Sequence, residues 1–215
     1  MNLLSSEEKL MKNTNILKIV LAAGKSNRYG SENKLLQILN GKKVIEHTIE
    51  NLLKVFDREE ILAITGYQAE EIELSLEKYK INTSFNKDYY KGIGTSISHA
   101  IKKRELNLKG VMVIPADMPL ITSFDYQKII KAFINNNEDK IICPQYKNKN
   151  GNPLVLPKSH FKVLKSLKED KGAKKFLIKE NIVFVKTGYG TTFDIDSIED
   201  LKKAELVIKT KHQKK

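Results

Sequence analysis

The 215-residue chain has a single cysteine, Cys143, and no tryptophan. One cysteine excludes an internal disulfide, so a reducing, cytoplasmic location is expected. A buried structural thiol is the simplest reading of Cys143. No run approaches the roughly 18 apolar residues that a membrane span needs, and the start has no apolar core of a secretory signal. A membrane role is therefore not expected. The four histidines are equally uninformative. His47 and His99 fall on expected helices, His160 opens one, and His212 is near the end, so no pair has the spacing of a zinc site.

Acidic residues are in deficit: 26 Asp and Glu stand against 38 Lys and Arg, giving a net charge of +12. Such a balance fits nucleic acid, an anionic surface or small anionic ligands. Here the lysines are spread along the whole chain, and the one dense run is 209–215, read as a frayed basic tail. There is no basic module interleaved with aromatics of the kind that grips single strands, so nucleic acid is not expected as a partner. Small anionic substrates remain.

Two common phosphate-binding patterns are also missing. Gly24-Lys25-Ser26 resembles the end of a P-loop, but the required earlier glycine is replaced by Ile19. The three spaced glycines of a dinucleotide fingerprint fail as well, because Asn27 stands where the last should be.

What is present is the stretch Leu21-Ala22-Ala23-Gly24-Lys25-Ser26-Asn27-Arg28-Tyr29-Gly30, with Lys34 following. It comes after Ile16–Val20, a β-branched run that reads as a buried strand over 16–21. Small residues at the carboxyl end of a strand let backbone N–H groups approach a ligand, and Lys25, Arg28 and Lys34 add positive charge. The loop fits a nucleoside triphosphate. Equally, it fits an ordinary strand-to-helix connection with solvated charges.

Further along, strands and helices alternate. Strands are expected at 60–65, 81–85 and 111–114, and helices at 44–56, 69–80, from the Thr95-Ser96 start to about 104, and at 123–136. Thr95 or Ser96 is the expected cap of the third helix. This rhythm predicts an α/β protein with a doubly wound, mostly parallel sheet. After 136 the pattern changes. Strands at 141–144 and 152–156 around a polar loop read as a small β-hairpin insertion, followed by helices at 159–168 and 172–180 and a strand at 182–186. Ser197 should cap the last helix, with Asp200 three positions on. The expected organisation is an N-terminal extension over 1–15, one domain over 16–208 and the tail.

Asp117 is the strongest single candidate for chemistry. It follows the most apolar strand and lies between Pro115 and Pro119, where a carboxylate could hold Mg²⁺ against phosphates. Asp in a turn after a strand is also common. Asp194 and Asp196 form a second carboxylate pair, although acidic residues before a helix are favoured by its dipole alone. Gly92-Ile93-Gly94-Thr95-Ser96 and Gly151-Asn152-Pro153 read as a helix start and a turn.

Taken together and in this order, these motifs resemble the MobA-like nucleotidyltransferases over about 16–206. The loop form with Ala23 and Ser26 is most similar to the molybdenum cofactor cytidylyltransferase branch. The resemblance implies a Rossmann-like nucleotidyltransferase fold. It makes Lys25, Arg28, Lys34 and Asp117 the catalytic set. Leu21, Ala22, Ala23, Gly24, Gly66, Gly94 and Ser96 become the nucleotide-binding set, and Gly151, Pro153 and Lys174 the acceptor side. Asp117 and Asp196 hold Mg²⁺, with Mn²⁺ as a substitute and Asp194 as an alternative ligand. Two departures stand out: Ile198 replaces the proline of the closing Asp-Thr-Pro-Glu-Asp-Leu motif, and Glu169 and Lys174 replace the Gly and Arg of the Gly-Asp-x-Gly-Ala-Arg motif. Lysine keeps the charge of arginine but loses its planar fork.

The implied reaction moves a nucleotide monophosphate, CMP from CTP in the first instance, to a phosphorylated acceptor such as the molybdopterin cofactor, with release of pyrophosphate. A phosphate acceptor is already ionised, so no strong general base is required. Guanylyl and sugar-phosphate nucleotidyl transfer are the enzymatic alternatives. A low-turnover maturation protein that docks on a molybdenum hydroxylase is the non-enzymatic one.

Overall fold

A computed structural model describes residues 14–25, 29, 32–104, 107–168 and 181–212. The first strand, β1 (Ile16–Ala22), is buried on both faces. Its alternation feeds two cores: Ile16 and Val20 pack into one apolar cluster, Leu17 and Ile19 into the other. That two-sided burial is why the run is continuously apolar rather than alternating. Lys18 breaks the pattern but is fully buried. Its ammonium donates to Thr14 Oγ1 and Glu60 Oε2, both at 2.9 Å, and lies 4.1 Å from the Phe56 ring centre.

After β1 come a small antiparallel pair, β2 (Ile38–Leu39) and β3 (Lys42–Lys43), turned by Asn40 and Gly41, both with positive φ. Two adjacent left-handed residues give the twist that a tight hairpin needs. Next follow α1 (Val44–Leu53), β4 (Ile61–Thr65), α2 (Ala69–Leu76), β5 (Asn82–Phe85), α3 (Ile93–Arg104), β6 (Gly110–Pro115) and α4 (Ser123–Asn135). The second half holds β7 (Ile141–Tyr146), β8 (Lys149–Asn150), β9 (Leu154–Pro157), α5 (Phe161–Lys165), β10 (Ile182–Lys186) and α6 (Ile198–His212).

The main sheet has the order β10-β7-β9-β6-β1-β4-β5, with β8 attached to β7. β1 pairs in parallel with β4 and β6, β4 with β5, and β10 with β7. β9 runs antiparallel between β6 and β7. The sheet is thus mixed and mostly parallel, with helices on both faces, as the alternating pattern predicts.

Several boundaries differ from the sequence reading. α1 ends at Leu53, not 56, because Val55 and Phe56 both turn their N–H groups back to Leu52 O. The expected helix at 69–80 stops at Leu76 and tightens into a 3-10 turn closed by Lys80 at φ +53°. The strand placed at 152–156 is β9, and it begins only after the cis Asn152–Pro153 bond. The hairpin proper is the two-residue turn Lys147-Asn148 joining β7 to β8, while β9 belongs to the main sheet. α5 is a short helix after a 3-10 turn at Lys158–His160, in place of a helix over 159–168. α6 continues to His212, past the start of the expected tail, and a Glu205–Lys209 ion pair at 2.9 Å spans one turn. The helix expected at 172–180 and most of the N-terminal extension lie outside the described residues. No described helix is long and apolar enough to cross a membrane.

Candidate active site

β1, β4, β5, β6, β7 and β10 all point the same way, so the segments that follow them gather along one edge of the sheet. Above β1 the chain leaves as Ala23-Gly24-Lys25. Among the described residues, a Cβ on Gly24 would meet nothing within 4 Å, so the backbone there faces the space above the edge. Gly66, after β4, has the opposite surroundings: a Cβ would lie 2.5 Å from the Tyr89 ring and 2.8 Å from Ala23. Glycine is needed at 66 so that three loops can close on one another. Tyr67 N donates to Ala23 O at 3.2 Å and fastens two of them.

A cleft of about 640 Å³ opens over this edge. Of the residues marked from sequence, Leu21, Ala23, Gly24, Lys25, Lys34, Ser96, Asp117 and Asp196 line it. Its far wall is the segment Tyr89–Ile93, of which the sequence motif marked Gly92 and Ile93 but not Tyr89, Tyr90 or Lys91. Ala22 and Gly94 are buried beneath, and Gly66 supports from behind. Gly151 and Pro153 are buried away from the cleft. A Cβ on Gly151 would strike Thr191 O at 2.2 Å, so this glycine serves the packing of loop on loop. Arg28 and Lys174 lie outside the described residues.

The capping expectation at Thr95 and Ser96 is corrected. Gly92, at φ +120°, turns the chain so that α3 already starts at Ile93. The two hydroxyls sit in the first turn, where Asn86 Nδ2 donates to Thr95 Oγ1 at 2.9 Å and Ser96 Oγ at 3.1 Å. Thr95 Oγ1 in turn donates to Gly92 O at 2.8 Å.

At the centre of the edge, above β6, is Asp117. Asp117, Asp194 and Asp196 each present an oxygen within 4.8 Å of the others. The main chain holds them together: Ile195 N donates to Asp117 O at 3.0 Å. Ser197 and Asp200 cap α6 just behind, with Ser197 Oγ donating to Asp200 Oδ2 at 2.8 Å and accepting from Asp200 N at 3.2 Å. Lys34 enters from the other side. Its short 3-10 turn is started by Asn33, whose Oδ1 accepts from Leu35 N at 3.0 Å. The Lys34 ammonium contacts Asp117 Oδ2 and lies 2.7 Å from Asp196 Oδ1.

The electrostatics follow. Burial pushes the Asp117 carboxyl up; Lys34 opposes, Asp194 adds repulsion, and the net position is above the usual carboxylate range. Burial acts on Lys34 in the opposite sense, but Asp117 and Asp196 outweigh it and hold the ammonium above its ordinary value. Asp117 Oδ1 is sealed from solvent and has no hydrogen-bond partner among the described residues. A buried, unpartnered carboxylate oxygen is costly unless something else satisfies it. Three hard oxygen donors with that vacancy in their bonding suit Mg²⁺ or Mn²⁺.

A second layer fixes the acidic loop. Asp125 is buried in the first turn of α4. Its Oδ2 accepts from Thr122 Oγ1 at 2.6 Å, completing the helix cap, while Oδ1 accepts from Gly188 N at 2.8 Å. Two residues on, Gly190 packs so closely that a Cβ would lie 2.1 Å from Leu120 O. Sequence reasoning missed Asp125; the one local signal is its capping-box spacing from Thr122, while the bond to Gly188 depends on tertiary structure.

An open, mostly parallel α/β sheet with small-residue loop, lysines and clustered carboxylates along its carboxyl edge defines a nucleotide-binding class of fold. The likeness to known proteins makes this specific. Residues 18–183 match the MobA-like NTP transferase domain, and the chain belongs to that family. It is 37% identical over 140 residues to a probable molybdenum cofactor guanylyltransferase of Thermococcus sibiricus, covering 63% of this chain and 65% of that protein. The chain therefore spans just under two-thirds of that relative. The fold is shared with a solved Mycobacterium sp. JC1 homologue of Mycobacterium tuberculosis Rv0371c, at TM-score 0.78 and 21% identity, covering 92% of this chain and 98% of that one. It is also shared with Rv0371c itself, solved in complex with manganese, at TM-score 0.73 and 18% identity over 89% and 98% of the two chains.

Proposed function

We propose that the chain is a divalent-cation-dependent nucleotidyltransferase that moves a nucleotide monophosphate from an NTP to a phosphorylated acceptor of the molybdenum cofactor type. The observation that carries this reading is the meeting of Asp117, Asp194, Asp196 and Lys34 beside the Gly24 loop.

In this reading Asp117 and Asp196 hold the cation, with Asp194 as the third donor. A cation bound there supplies positive charge to the α-phosphate and to the acceptor oxygen. The backbone at Gly24 and the Lys25 ammonium bind the β- and γ-phosphates and stabilise the departing pyrophosphate. Lys34 exchanges its carboxylate partners for the α-phosphate as charge grows there. Ser96 and the Tyr89–Ile93 wall border the base. An acceptor phosphate oxygen attacks the α-phosphorus; the new P–O bond forms as the bond to the bridging oxygen of pyrophosphate breaks. No proton needs to move, so alignment and charge neutralisation carry the catalysis.

Two donors are carried forward. CTP is favoured by the Ala23 form of the loop. GTP is favoured by the 37% identical relative named a molybdenum cofactor guanylyltransferase. Pyrophosphate release with each of the four NTPs, with and without molybdopterin cofactor and with Mg²⁺ or Mn²⁺, separates them. Asp117→Ala should lower that rate by about 10²–10³-fold. An Asp117→Ala protein that releases pyrophosphate as fast as the parent refutes the assignment.

A further inference from the structure

Resting on the reading just given, we propose that Asn86 is a positioning residue for the nucleotide: it commits the Ser96 hydroxyl to donate into the cleft, so that the base must turn a hydrogen-bond acceptor toward Ser96. Asn86 itself does not line the cleft. It is buried just past β5, where its N–H donates to Thr65 O at 2.9 Å and its carbonyl accepts from Tyr89 N at 3.1 Å. The backbone of Asn86 thus ties the end of β4 to the start of the Tyr89–Ile93 wall. Its side chain adds a further tie, from Asp88 to the first turn of α3.

The direction of each bond in this network follows from donor and acceptor chemistry. Asp88 N is a donor only, so it must meet the amide oxygen of Asn86, and Oδ1 accepts from it at 3.1 Å. Nδ2 is thereby turned toward the two hydroxyls. Its two protons go to Thr95 Oγ1 at 2.9 Å and Ser96 Oγ at 3.1 Å. Thr95 passes its own proton to Gly92 O at 2.8 Å. Ser96 keeps a proton that no acceptor among the described residues takes. The carbonyl four residues back is the common partner of a helical serine. Here that carbonyl, Gly92 O, already receives Thr95 N at 3.1 Å as well as Thr95 Oγ1. The cleft that Ser96 lines is the remaining direction. A hydroxyl committed in this way donates to a ring nitrogen or a carbonyl oxygen, whereas an exocyclic amino group would set donor against donor. Guanine O6 or N7 and cytosine O2 or N3 meet the requirement.

The test is calorimetric titration of the full-length protein in Mn²⁺. One probe is whichever of CTP and GTP the parent binds more tightly; the other is pyrophosphate, which has no base. In Asn86→Asp the carboxylate accepts from Asp88 N, Thr95 and Ser96 alike, so the Ser96 proton turns away from the cleft and lone pairs face the base. The NTP Kd should rise about 10-fold or more, as for a buried acceptor left unpaired, while the pyrophosphate Kd stays within about 3-fold of the parent. Ser96→Ala should raise the NTP Kd about 3- to 10-fold and leave pyrophosphate binding unmoved. Because Asn86 acts through Ser96, the double variant should bind NTP no more weakly than Asn86→Asp alone. In turnover, the NTP KM should rise in both single variants, with kcat and the acceptor KM within about 3-fold of the parent. An Asn86→Asp protein that binds NTP as the parent does, or that loses pyrophosphate as much as NTP, overturns the proposal. Losses that multiply in the double variant overturn it too. Should Asn86→Asp not fold, Ser96→Ala decides: an NTP affinity equal to the parent's is again fatal, and a loss confined to the base-bearing probe is support. Failure of the parent to bind NTP and Mn²⁺ would instead be failure of the transferase reading.

Discussion

Replacing Lys34 by methionine removes the ammonium that neutralises Asp117 and Asp196 but keeps most of the side-chain volume. Lys34 and Asp117 side chains are 14% and 16% exposed, and Asp196 is 33% exposed. Breaking a fully buried pair costs about 3–5 kcal/mol; with one partner facing the cleft, the lower end, about 3 kcal/mol, is expected near neutral pH. The sign of the pH dependence follows from Asp117. Its carboxyl already sits above the usual range in the folded chain, so the folded state binds a proton more readily than the unfolded one. Stability from this group is therefore lost as pH rises from the ordinary carboxylate range through the raised folded value. Without Lys34, which pulls the value down, that window extends to higher pH. Urea unfolding of Lys34→Met should show a deficit that is large at pH 8 and small at pH 5. Added Mn²⁺ takes over the missing charge, so it should stabilise the variant more than the parent; saturation at 100 times Kd contributes about 2.7 kcal/mol. A variant as stable as the parent at both pH values, with equal gains from Mn²⁺, would show that Lys34 has no part in balancing the carboxylates.

Other perturbations test other parts of the structure. Burial lowers Lys18 from 10.5 to about 8 despite Glu60. The folded state thus holds fewer protons than the unfolded state between these values, and stability should rise with pH from about 8 to 10.5; Lys18→Met should flatten that rise in urea titrations. Gly190→Ala places a methyl 2.1 Å from Leu120 O and should lower stability by about 1–3 kcal/mol or more in thermal unfolding. Gly24→Ala, whose added methyl meets nothing within 4 Å among the described residues, should leave stability within about 0.5–1 kcal/mol while weakening NTP binding in calorimetry. Asp125→Ala loses a helix cap and the tie to Gly188; it should cost about 2 kcal/mol and weaken Mn²⁺ binding measured by electron paramagnetic resonance.

The parts of the fold legible in the sequence were those with local causes. β1 and β6 are short β-branched runs before small-residue or proline turns, and the cap at Ser197 is written in Ser197 and Asp200 themselves. The helix ends at Leu53 and Leu76 were not legible, because tertiary packing tightened the last turns. β9 does pair antiparallel with β7, as a hairpin-like reading expects, but its longer pairing with β6 was not legible, because nothing local names that partner. In the site, Lys34, Asp117 and Asp196 could each be marked one at a time. That Lys34 bridges the two aspartates could not, since the contacts span 83 and 162 positions of chain. Gly66 and Gly151 carried motif-like signals, yet their glycine character answers to Tyr89 and Thr191, neighbours that only folding supplies.

The carboxylates beside Lys34 come from opposite sides of the fold's assembly: one follows β6, and two precede the final helix. On a ribosome, Gly24, Lys34 and Asp117 emerge long before Asp194 and Asp196. A partly synthesised chain can therefore form the parallel half of its sheet while its ion-binding corner is still open. In the proposed reading, metal binding and nucleotide transfer both wait for Asp194 and Asp196 to join Asp117, which makes them late events of the chain's assembly.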